Sequence, residues 1–325
     1  MGLIQPDWQW KKEEGSGVHQ WIEQNPFPVN PDVVLFAAPL SRSSISVSGA
    51  SLYPDTFRRG WKGFSVYNLD EHIDLSSLHV ADLGDVPMHT TDIKESHRRI
   101  EVAAAQVAST FSNSYTCLIG GDHSITACSI RGIQKANPNE RIGIIQFDTH
   151  LDVRNPDVLG PANGTPIRQL IEGGVVNGSN IYNIGLHGFF NAPELVQYAV
   201  SQGIHMITLR TAREKGIIPT IREVLNALNE SVDRIYVTVD MDVLDISVAQ
   251  GVPASTPGGM TAYELFDALC EVGKADKAKH IDFVCLDPTK DTLAQATVKT
   301  GIYAFLQWLT GIQIQRQLRN VISND

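Results

Sequence analysis

Short apolar, β-branched runs recur along the chain, each followed by a polar or glycine-rich turn and then a segment of helical periodicity. That alternation is the signature of parallel βαβ units. It predicts strands over residues 33–38, 116–119, 142–147, 181–184, 205–208, 234–239 and 280–286. Apolar spacing predicts helices over residues 95–111, 125–135, 192–202, 217–228 and 261–272, and a closing helix over 296–317. No internal repeat, low-complexity tract or linker divides the pattern. Residues 1–30 read as an N-terminal arm and residues 31–325 as a single domain.

Composition narrows the class. The 325 residues are 42% hydrophobic and 19% charged, the balance of a soluble globular protein. The formal net charge of −10 argues against a surface built to neutralise phosphate backbones, so nucleic acid is not an expected partner. Cys117, Cys128, Cys270 and Cys285 lack paired spacing, and Cys117 and Cys285 sit in apolar strand-like runs. They read as buried thiols of a reducing, cytoplasmic compartment. No stretch has the length and apolarity of a membrane span or an export signal.

In open parallel sheets, ligands bind beyond the carboxyl ends of the strands. Four strands here run directly into acidic or histidine-bearing turns: Gly120-Gly121-Asp122-His123-Ser124, Asp148-Thr149-His150-Leu151-Asp152, Asp240-Met241-Asp242 and Asp287-Pro288-Thr289. If the strands continued through these residues, the pleat would put Asp148, His150 and Asp152 on one face, and Asp240 beside Asp242. Four carboxylates so close repel one another and take up protons. Two divalent cations would balance them, with His123 supplying a further nitrogen. An oxygen-rich set with few imidazoles suits a hard or borderline ion, so the expectation is two Mn2+ per chain. A lone Asp-x-His or Asp-x-Asp is usually a capping or solvated turn; it is their joint occurrence after apolar strands that favours metal. Asp122 and Asp245 read as turn or supporting residues, and His19, His72, His79, His89, His97, His187, His205 and His280 as surface or core residues.

With these motifs in their order and spacing, the chain resembles the ureohydrolases, the manganese enzymes that include arginase, agmatinase and formimidoylglutamase. Local stretches look most like formimidoylglutamase of the Bacillus type: Ser41-Arg42-Ser43-Ser44-Ile45-Ser46 with Ser48-Gly49-Ala50, Asp152-Val153-Arg154-Asn155, Asn163-Gly164-Thr165-Pro166, Arg213-Glu214-Lys215-Gly216 and Asp287-Pro288-Thr289. The resemblance implies an α/β fold, a three-layer αβα sandwich with a mainly parallel sheet of about eight strands, assembled as a trimer or hexamer. It implies that His123 and Asp152 serve one ion, His150 and Asp242 the other, and that Asp148 and Asp240 bridge. The implied reaction is hydrolysis of N-formimidoyl-L-glutamate to glutamate and formamide, a step of histidine degradation.

Two cations about 3.5–4 Å apart would share a water and bring its pKa toward neutrality. The resulting hydroxide, held with Asp148 and Asp240, would attack the amidine carbon, and Asp242 would carry the proton to the departing nitrogen. Arg154, just past Asp152, is the candidate for binding a substrate carboxylate. The chain departs from its relatives at Asn163, where arginases and agmatinases have histidine, at His187, where arginine is frequent, and at Cys285, where a glutamate usually meets the cationic substrate group. Asn163 and Cys285 are nonetheless expected to line the substrate pocket, and Asp287 could compensate for the missing glutamate. Open alternatives are action on another guanidino compound, a metal-binding paralogue of low activity, a single-zinc deacetylase of related fold, and a cysteine nucleophile at Cys285.

Overall fold

The computed structural model describes residues 17–24 and 30–322. Among them are eleven strands: β1 (Glu23–Gln24), β2 (Val33–Ala37), β3 (Tyr67–Asn68), β4 (Ile73–Asp74), β5 (Val80–Asp85), β6 (Tyr115–Ile119), β7 (Ile142–Phe147), β8 (Ile181–Leu186), β9 (His205–Thr208), β10 (Arg234–Asp240) and β11 (His280–Val284). Nine of them form one sheet in the order β1-β5-β2-β6-β11-β10-β7-β8-β9, every neighbouring pair parallel, while β3 and β4 make a separate antiparallel ribbon. The six long helices are α1 (Ile93–Thr110), α2 (Ser124–Ala136), α3 (Pro193–Gln202), α4 (Ile217–Ser231), α5 (Ala262–Gly273) and α6 (Ala296–Ile322). α1 packs on α2, and α5 packs on both α4 and α6. The three-layer α/β sandwich expected from the sequence is thus observed, with nine strands.

The central strands β2, β7 and β11 are buried along their whole length. A sheet covered by helices on both faces requires this, and it explains why the strands read as continuous apolar runs. Sequence periodicity overlooked β5 because Asp82 and Gly84 interrupt it. Asp82 is buried there against Arg58, whose Nε and Nη2 lie 2.6 and 3.0 Å from its two carboxylate oxygens; this paired geometry compensates the buried charge. Of the N-terminal arm, residues 1–16 and 25–29 lie outside the described residues. The described part joins the domain, because Val18 and Ile22 are core residues and β1 pairs with β5.

The chain places β6 and β7 three positions apart, runs outward through β8 and β9, then returns to fill the gap with β10 and β11. Loops diverging at such a reversal open a crevice at the carboxyl ends of the strands. The turns carrying His123, Asp148 and Asp240 all emerge there, after β6, β7 and β10.

α5 crosses α6 at a pair of glycines. A Cβ on Gly311 would collide with the Cys270 carbonyl oxygen and lie 2.9 Å from the Cα of Gly273. Gly311→Val is therefore expected to lower stability by about 1–3 kcal/mol through overpacking, measured as a drop in the denaturant midpoint with an unchanged slope.

Candidate metal centre

Parallel pairing fixes the starting geometry. Val239 lies opposite Phe147 in the β10–β7 register, so the next residues, Asp240 and Asp148, leave the sheet side by side. His123 arrives from the turn after β6, at the head of α2. That turn hugs the chain following β2: Gly121 N donates to Ala38 O at 3.1 Å and Asp122 N to Leu40 O at 2.7 Å. A side chain on Gly121 would strike the Leu40 backbone, so the approach requires glycine.

All six expected ligands gather in one place. His123 Nδ1 is 2.7 Å from Asp152 Oδ2, 3.2 Å from Asp240 Oδ2 and 3.4 Å from Asp148 Oδ2. His150 Nδ1 is 3.0 Å from Asp242 Oδ2 and 3.5 Å from Asp148 Oδ1. His123, Asp148 and Asp240 form one group with ligand atoms within 4.8 Å of one another, and Asp148, His150 and Asp242 form a second. The two groups share Asp148.

The route to this convergence differs from the pleat argument. β7 ends at Phe147, and Asp152 adopts φ 53°, a left-handed conformation that turns its carboxylate back toward His123. Asp242 sits in a 3-10 turn over Met241–Val243, whose start is held by Asp242 N donating to Asp240 Oδ1 at 2.9 Å. Turns, and not continued strands, aim Asp152 and Asp242, while Asp240 is the last residue of β10.

The orientation of His123 is set from behind. Its Nε2 lies 2.9 Å from the hydroxyl of Thr238, a buried residue of β10. Nδ1 faces the aspartates, where this buried atom makes no hydrogen bond of acceptable geometry. A ring held through one nitrogen, with the other orphaned among carboxylates, fits a metal ligand.

Further buried amides and hydroxyls hold the loop after β7. Gln146 Nε2 donates to Asp148 Oδ2 at 2.7 Å, Asn183 Nδ2 to His150 O at 2.6 Å, and Asn191 Nδ2 to Thr149 O at 2.9 Å. Thr149 Oγ1 donates to Asp242 O at 2.8 Å. Gln146, Asn183 and Thr238 were not among the residues expected to be functional. Each is a polar residue inside an otherwise apolar strand, and a buried polar group needs a partner, which is the signal that could have found them.

Electrostatics bear the stress of four aspartates against two imidazoles. Burial, then Asp148, pushes Asp152 up to about 6. Burial, then Asp240 and Asp148, raises Asp242 well above the usual carboxylate range. Burial alone would lower His150, but Asp242 and Asp148 push it up to about 12; His123 is raised in the same way by Asp148, Asp152 and Asp240. Without a cation, protons take over the balancing role.

The expected substrate residues fare differently. Arg154 is exposed at the start of the following loop and has no ion pair among the described residues. Asn163 Oδ1 accepts from Ile45 N at 2.8 Å, so that oxygen is committed to the protein. Cys285 is buried beside Asp240 with φ 64°, which ends β11 two residues earlier than the apolar run suggested. Burial, then Asp240 and Asp242, raises its thiol well above the usual range. That keeps the sulfur protonated and disfavours the cysteine-nucleophile alternative. Asp287 cannot stand in for the missing glutamate, because its carboxylate already accepts from Gly49 N, Thr289 N and Thr289 Oγ1 at 2.6–2.9 Å. His187 bonds Gly185 O and Thr256 Oγ1 through its two ring nitrogens. Asp122 and Asp245 are turn residues as expected, accepting from Ser43 and Ser124, and from Ser247 and Gly258.

A sequence model of the arginase family matches residues 31–310. The chain belongs to the arginase family. Among its family relatives is the formimidoylglutamase of Halalkalibacterium halodurans, 40% identical over 277 residues, which make up 85% of this chain and 86% of the relative. The crystal structure of formimidoylglutamase from Bacillus subtilis superposes with a TM-score of 0.90 at 34% identity, covering 96% of each chain. A variant of Trypanosoma cruzi formiminoglutamase with Mn2+ superposes at 0.81 and 26% identity, over 89% of this chain and 95% of that one. In this arginase-family chain, His123, Asp148, His150, Asp152, Asp240 and Asp242 could together hold two divalent ions.

Cation binding must displace protons from this cluster. In the metal-free protein Asp152 is raised to about 6 and His150 to about 12, so each takes up a proton as pH falls through its raised value, and that proton competes with the ion. Mn2+ affinity is expected to drop about tenfold per pH unit for each proton displaced below neutrality. Calorimetry in buffers of different ionisation enthalpy measures the released protons.

Proposed function

We propose that this chain is a manganese-dependent formimidoylglutamase that hydrolyses N-formimidoyl-L-glutamate to L-glutamate and formamide. The observation that carries the reading is the pair of ligand groups sharing Asp148, in a chain whose family relatives above include formimidoylglutamases at up to 40% identity. His123 and Asp152 would hold one ion, His150 and Asp242 the other, and Asp148 and Asp240 would be common to both. When bound, the two ions activate water as a nucleophile near neutral pH.

The protein's own residues then position the substrate and move the proton. Asp242 lies in the cluster beside Asp148 and His150, next to where the attacking water would sit. It is suited to pass a proton to the glutamate nitrogen as the C–N bond breaks, a general-acid task. Arg154, unpaired and two residues beyond Asp152, takes a substrate carboxylate through its planar fork of donors. The protonated Cys285 thiol contributes a neutral wall where a cation-binding carboxylate would otherwise stand.

Formamide release from N-formimidoyl-L-glutamate, with no urea from arginine, agmatine or guanidino acids, is the expected result of a Mn2+-loaded assay; urea production in place of formamide would refute the assignment. Arg154→Ala is expected to raise KM for N-formimidoyl-L-glutamate about 10- to 100-fold, the scale of losing a charged hydrogen-bond partner. Asp242→Asn is expected to lower kcat by about 10²–10⁴ if it carries the proton.

A further inference from the structure

The substrate class proposed above has two carboxylates, and Arg154 accounts for one. The loop of residues 41–49 crosses the same end of the sheet and is tied to three of the surrounding turns. Ser43 N donates to Asp122 Oδ2 at 3.1 Å, Gly49 N to Asp287 Oδ2 at 2.7 Å, and Lys290 Nζ to Val47 O at 2.8 Å. Asn163 makes the remaining tie with two bonds: its backbone N donates to Ser43 O at 3.0 Å, and its Oδ1 accepts from Ile45 N at 2.8 Å. The side chain thus acts as a second backbone carbonyl. Apolar packing does little to hold this loop, because Ile45 and Val47 are 53% and 89% exposed.

The same tie brings the loop to Arg154. Arg154 N donates to Gly164 O at 2.9 Å. A Cβ placed on Gly164 would lie 3.0 Å from both Arg154 Cδ and Ile45 Cδ1, so the arginine stem and the loop share the bare surface of that glycine. Between the tied points, Ser44 Oγ is enclosed and without a hydrogen-bond partner. The amides of Ser46, Val47 and Ser48 donate to no group among the described residues. Unused amides on this loop, and an unpaired guanidinium whose stem meets the loop at Gly164, together offer donors to an anion.

We propose that Asn163 is a specificity-determining positioning residue: by tying Ser43–Ile45 beside Arg154, it assembles a clamp for both carboxylates of a dicarboxylic amino acid. Arg154 binds one carboxylate, and the amides of residues 46–48 with the hydroxyls of Ser46 and Ser48 bind the other. This inference rests on the formimidoylglutamate reading, but ligand binding tests it without turnover.

The experiment measures the affinity of the Mn2+-loaded protein for L-glutamate and for L-glutamine, whose distal amide is isosteric and uncharged. The wild-type chain is expected to prefer glutamate by about tenfold or more. Asn163→Leu keeps the size and removes the acceptor, and is expected to bring that preference to within about threefold while manganese content stays unchanged. Gly164→Ala, which crowds Arg154 and Ile45 without touching the tie, is expected to weaken glutamate binding in the same direction. A wild-type protein with no preference, or an Asn163→Leu variant that keeps it, overturns the clamp. Absence of formamide release by the wild-type enzyme would instead overturn the functional reading, so the two failures are separable.

Discussion

Like charge at short range governs this site. The register of β7 with β10 puts Asp148 and Asp240 next to each other, and the turns that follow add Asp152 and Asp242 to a pocket in which all four are buried. In a low-dielectric setting such a group cannot remain fully ionised without countercharge. Protons on the carboxylates and imidazoles provide one solution, and a pair of divalent cations provides a better one because His123 Nδ1 already faces the same space as the aspartates. Catalytic chemistry and charge balance therefore have the same physical origin.

Holding that arrangement needs support from the surrounding sheet. Thr238 holds the His123 ring from the strand behind it, while Gln146 holds the Asp148 carboxylate and Asn183 and Asn191 fix the backbone of His150 and Thr149. Two non-glycine residues at the site, Asp152 and Cys285, adopt left-handed backbone conformations, each a local cost of about 1–2 kcal/mol. The strands on either side of the site, β7 and β11, are buried along their whole length, and that packing bears the strain.

Much of this was legible in the sequence. Apolar runs located the seven longer strands of the sheet other than β5, because buried parallel strands leave an unbroken apolar record. The acidic and histidine turns named all six members of the cluster, since their chemistry is concentrated at strand ends. The reason given for their convergence was incomplete. The pleat of an extended strand does not extend past Phe147, and the left-handed turn at Asp152 leaves no mark in residue spacing. β5 was hidden because Arg58, distant in sequence, neutralises Asp82. The commitments of Asn163 to Ile45 and of Asp287 to Gly49 are long-range bonds, so Asn163 read as a pocket group and Asp287 as a free acid until the loop of residues 41–49 was placed.

The central claim is that two ions share carboxylates in a single cluster. Electron paramagnetic resonance of the Mn2+-loaded protein tests it directly. A shared Asp148 and Asp240 predict an exchange-coupled spectrum from a manganese pair, at two ions per chain. A spectrum of isolated Mn2+, with one ion or fewer per chain, would contradict the account.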